Sequence, residues 1–230
     1  MEQIELSGRP NVRIIVRRSQ RARRLSLRVS QLDGRVTITL PSRTPLREAR
    51  VFATEKENWI RKALAERPDA VRPEIGGTVL YEGREVMIKT GAGRIARFQD
   101  DLITVPNNPD RVGFRVAALL KLKAQERLFE ASGKYAAALG VRFGRISIRD
   151  TRSRWGSCSC QGNLMYSWRL IMAPPEVLDY VAAHEVSHLV EMNHSAQYWR
   201  VVAKIFPDYK SNRAWLRENG QKLHSYQFSD

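Results

Sequence analysis

Cysteine and histidine are both scarce in this chain of 230 residues, with two of the first and four of the second. Cys158 and Cys160 are spaced C-x-C, too close for an easy disulfide and without the C-x-x-C spacing of a zinc knuckle. A disulfide framework is therefore not expected, and reduced thiols in a cytoplasmic protein are. No run of eighteen apolar residues occurs, so no transmembrane helix is predicted and no membrane partner is expected. The first residues, Met1-Glu2-Gln3-Ile4-Glu5, lack a basic stretch followed by an apolar one, and no signal peptide is predicted. Internal repeats, low-complexity tracts, a glycine-rich phosphate loop and a carboxylate cluster for a magnesium pair are missing as well.

What histidine there is lies together. His184, His188 and His194 fall within eleven residues, in the order His184-Glu185-Val186-Ser187-His188, five residues, His194. On a helix, residues i and i+4 share a face about 6 Å apart along the axis. His184 and His188 can then both reach one metal ion. Glu185 projects to the flank, where a carboxylate can take a proton from water at the metal. His194 follows the end of the helix, so the chain must turn back for it to act as third ligand. Three protein ligands leave a position open, the mark of a catalytic rather than a structural zinc site. The bland alternative makes His184 and His188 satisfied core residues and His194 the start of the next helix. The scarcity of histidine elsewhere argues against it.

The flanking residues suit a buried helix. Pro174-Pro175 starts it, and Glu176 and Asp179 put acid in its first turn. No Gly or Pro follows before Val190. Val177, Tyr180 and Val181 share the histidine face, while Leu178, Ala182, Ala183 and Val186 cover the opposite one, a pattern apolar all round. Asn193 is read as a left-handed terminator, and Ser195 as the cap of a second helix from Ala196 to Phe206.

The net charge is +15 and the pI about 10.4. Arg17, Arg18, Arg21, Arg23, Arg24 and Arg28 form a run with no acid between them. The plainer reading is the solvated outer face of a hairpin; the sharper one is a phosphate-binding surface that makes nucleic acid a candidate partner. No interleaved aromatics accompany the run, which favours the plainer reading.

Elsewhere, Leu25 to Val29 and Val36 to Leu40 alternate as strands around an Asp33-Gly34 turn. Pro45 to Leu64 reads as helix with Val51, Phe52, Trp59 and Ile60 as core candidates. Arg67 to Gly77 reads as a linker. Short strands are predicted at Thr78 to Leu80, Glu85 to Thr90 and Leu102 to Val105, then a long helix from Val112 to Leu139 ended by Gly140. Gly133 marks a flaw or a boundary in it. Strands at Arg145 to Asp150 and Leu164 to Leu170 precede the histidine helix, and a last helix lies near Ser211 to Leu223. His224 falls in the polar tail and reads as surface. The order predicts an α+β fold: a zincin-like mixed sheet packed on helices, with residues 1–110 as an N-terminal subdomain carrying the basic β-hairpin and residues 111–230 holding the histidines.

These residues also carry a resemblance. Arg154-Trp155-Gly156-Ser157-Cys158-Ser159, Trp168-Arg169-Leu170, Tyr180-Val181 leading into His184-Glu185-x-x-His188-Leu189, Asn193-His194-Ser195 with Trp199, Pro207-Asp208-Tyr209 and Trp215-Leu216 together resemble the YgjP-like metallopeptidases. These are compact zincins related to the SprT-like and WLM proteins. The beginning, from Arg17 to Trp59-Ile60, resembles them too. Ser167 departs from the pattern, which has Asn there. The resemblance implies three zinc-ligating histidines, Glu185 as the catalytic residue, residues 111–230 as the metallopeptidase domain and a polypeptide substrate. Tyr198, Arg154 and Tyr166 are the candidates for stabilising the oxyanion. A metal-dependent nucleotide or phosphoester hydrolase, and a nucleic-acid-binding protein with a structural zinc, are the competing readings.

Overall fold

The computed structural model describes residues 2–30, 33–67 and 69–228. The chain divides into two compact units, Met1–Asp69 and Ala70–Asp230.

In the first unit, strands β1 (Gln3–Leu6), β2 (Val12–Ser19), β3 (Ser26–Val29) and β4 (Val36–Pro41) form one sheet in the order β1-β2-β4-β3. β2 and β4 pair in parallel and the outer pairs are antiparallel. The β3–β4 hairpin is the one expected around Asp33-Gly34, with Val29 opposite Val36. Side chains alternate across a strand, so Val12, Ile14 and Val16 turn inward with Val36, Ile38 and Leu40. Arg13, Arg17 and Arg28 take the solvent side. Helices α1 (Leu46–Glu55) and α2 (Glu57–Ala65) complete this core through Ala49, Ala53, Ile60 and Ala63.

The single helix expected over 45–64 is thus two. It breaks at Lys56, whose backbone N–H still bonds back to Phe52 while its own dihedrals leave the helical range. The break resets the buried face. Ile60 is in the core and Phe52 packs at its edge, but Val51 and Trp59 are 54% and 50% exposed, contrary to expectation.

Among the described residues, the second unit holds two mixed sheets and four α-helices. β5 (Thr78–Tyr81), β6 (Arg84–Thr90), β7 (Arg97–Gln99) and β8 (Leu102–Val105) run in the order β5-β6-β8-β7. Helix α3 (Val112–Leu139) follows, ending at Gly140 in the left-handed conformation, with Gly133 in its interior rather than at a boundary. β9 (Ile146–Arg149), β10 (Gly156–Cys158) and β11 (Leu164–Ser167) make a three-stranded sheet in the order β10-β11-β9. β10 is an edge strand, antiparallel to β11. The expected strand to Leu170 stops at Ser167, and Trp168–Met172 is a 3-10 turn. Then come α4 (Pro175–Ser187), α5 (Ala196–Ile205) and α6 (Tyr209–Ser225).

The division falls well before the expected boundary at residue 110. The reason is packing: Val79, Ile88, Ile103 and Val105 of β5–β8 share one core with Val116, Leu120 and Leu128 of α3 and with Val177, Val181 and Val186 of α4. Burying a side chain of this size contributes about 1.5–3 kcal/mol, which ties the small sheet to the helices that carry the histidines. The fold is α+β with mixed sheets packed on helices, as expected. Among the described residues no helix is long and apolar enough to cross a membrane.

Candidate metal centre

Helix α4 begins as its prolines dictate: Pro174 occupies the cap and Pro175 the first turn. It is buried on nearly every side, packing against α3, α5, α6 and β10. The helix ends at Ser187, ahead of the expected terminator Asn193, and the residues that follow close turns onto the carbonyls of Glu185, Val186 and Ser187. Asn193 is not left-handed. Its side chain instead donates to Glu191 and accepts from the Ser195 N–H. Ser195 Oγ accepts from the Tyr198 N–H and caps α5 as expected. His194 is therefore bracketed by two hydrogen-bonded neighbours, and the turn returns it to α4.

One ring nitrogen from each of His184, His188 and His194 lies within 4.8 Å of the other two. His184 Nε2 and His194 Nε2 are 3.1 Å apart. His188 Nδ1 is 3.1 Å from the Glu191 carbonyl. A carbonyl can only accept, so that nitrogen carries the proton and Nε2 keeps its lone pair. Burial, together with the neighbouring rings, pushes His184 down to about 3. Burial also lowers His188. Neutral imidazoles facing one another are the donor set a divalent transition metal needs, and the residues fit such an ion. Among the described residues His184 Nδ1 is buried without a hydrogen-bond partner, so this ring is held by packing.

That packing is a layer the sequence reading mostly missed. Tyr198 stacks on His188 at 4.5 Å and donates its hydroxyl to the His184 carbonyl at 2.9 Å. Trp199 lies against His184 and His194, stacks on Tyr209, and has the Arg213 guanidinium over its ring at 4.8 Å.

Glu185 is 5% exposed and lines, with the three histidines, a cavity of about 480 Å³. Its stem lies against Gly156 of β10. Burial pushes its carboxyl up to about 8, and the charge of Arg154 works against that rise. A bound cation would lower it further. Arg154, Ser157 and Cys158 face the same cavity. Burial and the Glu185 charge push the Cys158 thiol up to about 11, so it is no thiolate at neutral pH. Tyr166 and Tyr198, expected as oxyanion candidates, are both fully buried, with their hydroxyls engaged by Ser132 and by the His184 carbonyl. His224, expected at the surface, stacks on Trp155 at 4.9 Å, and burial pushes it down to about 4. Trp168 is buried in the core.

The family model for the YgjP-like metallopeptidase domain matches residues 23–219. The chain belongs to the YgjP-like metallopeptidase family. The match spans both compact units and includes every residue of the histidine cluster. Among solved structures, the chain is similar to the metallopeptidase zymogen abylysin of Pyrococcus abyssi, at 22% identity, over 41% of this chain and 93% of that one, with a TM-score of 0.34. No curated protein matches. Membership makes this chain a metallohydrolase of the peptidase type, and the three histidines are a cluster able to hold a metal ion.

Proposed function

We propose that the chain is a zinc-dependent peptidase in which His184, His188 and His194 hold the metal and Glu185 is the general base. The observation that carries this reading is a buried glutamate carboxyl sharing one cavity with three converging imidazoles. Zinc, when bound, supplies a Lewis acid that polarises the scissile carbonyl and makes water more acidic. Glu185 takes a proton from the attacking water and passes it to the nitrogen of the breaking C–N bond. Its burial supports the second step, since a carboxyl whose affinity for protons is raised holds the proton until the amine leaves. Among the described residues β10 pairs on one side only, and an extended polypeptide can add to its other edge beside the cavity. Family membership supports a polypeptide as substrate. Free Cys158 and Cys160 support a reducing, cytoplasmic setting. Binding of nucleic acid to the arginine face rests on charge alone.

The test is metal content by mass spectrometry, with cleavage of fluorescein-labelled casein by wild type and Glu185→Gln. One zinc per chain in both, with cleavage by wild type only, is expected. Equal cleavage by the two proteins would remove Glu185 as the base, and failure to take up zinc would remove the site.

A further inference from the structure

Addition of water to a carbonyl leaves negative charge on its oxygen, and an enzyme that lowers this barrier aims fixed donors at that oxygen. Of the three candidates named from the sequence, the structure removes two. Tyr166 is 0% exposed, its hydroxyl 3.0 Å from Ser132 Oγ. Tyr198 is 0% exposed, its hydroxyl donating to the His184 carbonyl. Neither hydroxyl can turn to a substrate without abandoning a buried partner.

Arg154 differs on each count. It lines the cavity with Glu185 and the histidines, and is the only arginine or lysine that does so among the described residues. Its guanidinium makes no hydrogen bond or ion pair among the described residues, so its donors are uncommitted. Its backbone, by contrast, is fixed. Thr151 Oγ1 donates to the Arg154 carbonyl at 2.8 Å, and the Ser167 N–H donates to the next carbonyl, that of Trp155, at 2.8 Å. The Trp155 ring is wedged between His224, stacked at 4.9 Å, and Gly220, where an added Cβ would meet the ring at 2.9 Å. A rigid base under a free, permanently charged fork suits a group that must meet a charge present only during reaction.

We infer that Arg154 stabilises the tetrahedral oxyanion, donating to the former carbonyl oxygen from the segment that leads into β10. This rests on the peptidase reading, and it adds the anion-stabilising residue to that site.

The test is calorimetric binding to the zinc-loaded protein of two probes. Acetohydroxamate reads the metal alone, and N-phosphoryl-leucyl-tryptophan presents a tetrahedral anion in place of the reacting carbonyl. Arg154→Ala should bind the phosphoryl dipeptide about 10²-fold more weakly than wild type, with acetohydroxamate unchanged within about twofold. Arg154→Lys, which keeps the charge but not the fork, should fall between. Equal binding of the phosphoryl dipeptide by wild type and Arg154→Ala would overturn the assignment, as would its failure to bind a protein that takes acetohydroxamate. Failure of acetohydroxamate itself would count against the zinc site, and so against the peptidase reading beneath this one.

Discussion

A side-chain carbon placed on Gly156 would lie 2.5 Å from Glu185 Oε1 and 2.6 Å from its Cγ. The edge strand and the carboxylate fit only because this position has no side chain. Glu185 is 5% exposed and has little room to withdraw. Gly156→Ala should therefore displace the carboxylate while the three histidines stay in place. An error of about 1 Å in a reacting group costs on the order of 10²-fold. The expected outcome is casein cleavage reduced by about that factor with zinc content unchanged. Zinc lost together with activity would show that the strand, and not the carboxylate, had moved.

The histidines should act as a set. His188→Ala and His194→Ala should each lose zinc, and a chelator should silence wild type, with activity restored on adding zinc back. Ligand that binds only the folded state stabilises it by about 2.7 kcal/mol at a hundred times its dissociation constant. Zinc should accordingly raise the melting temperature of wild type and leave that of His188→Ala unmoved. Equal shifts in the two proteins would place the metal elsewhere.

Acid should destabilise the second unit through His224. Its ordinary value is 6.5, and burial pushes it down to about 4 in the folded protein. Between those values unfolding takes up a proton, so the contribution is fully present above about pH 6.5 and is lost as pH falls towards 4. Asp150 adds to the loss at lower pH. Burial raises its carboxyl, but the Arg169 hydrogen bonds and charge outweigh burial and hold it below the usual carboxylate range. His224→Phe keeps a ring against Trp155 and removes the titration. Its melting temperature should drop less than that of wild type between pH 7 and pH 5. His184 and His188 are depressed as well, so part of the drop should survive. An identical drop in both proteins would remove His224 from the account.

Arg169 should carry more stability than any surface ion pair here. Its side chain is 10% exposed, forks onto Asp150 at 2.7 and 3.3 Å, and donates to the carbonyls of Leu223 and Tyr226. Arg169→Met would strand those acceptors, at a cost of about 3 kcal/mol. A denaturation midpoint within error of wild type would contradict this.

Some elements were legible because their signals are local. Alternation gave the β3–β4 hairpin, and the Gly140 stop gave the end of α3. The parallel pairing of β2 with β4 was not legible, since it joins segments across an intervening strand. Nor was the break at Lys56, where nothing in the composition interrupts a helix and packing of the two short faces decides it. The histidine spacing predicted the cluster because i, i+4 on a helix and one tight turn are short-range geometry. His224 was read as surface because its burial comes from Trp155, which lies 69 positions earlier in the chain.

By itself the sequence determined the donor set, its spacing and the family, all properties of neighbouring residues. Only the tertiary structure decided which polar groups are free to act. Tyr166, Tyr198 and Arg154 are equivalent candidates as letters. Burial and hydrogen-bond partners far along the chain commit the two tyrosines and leave the arginine open, because a donor already satisfied in a low-dielectric interior does not exchange its partner cheaply.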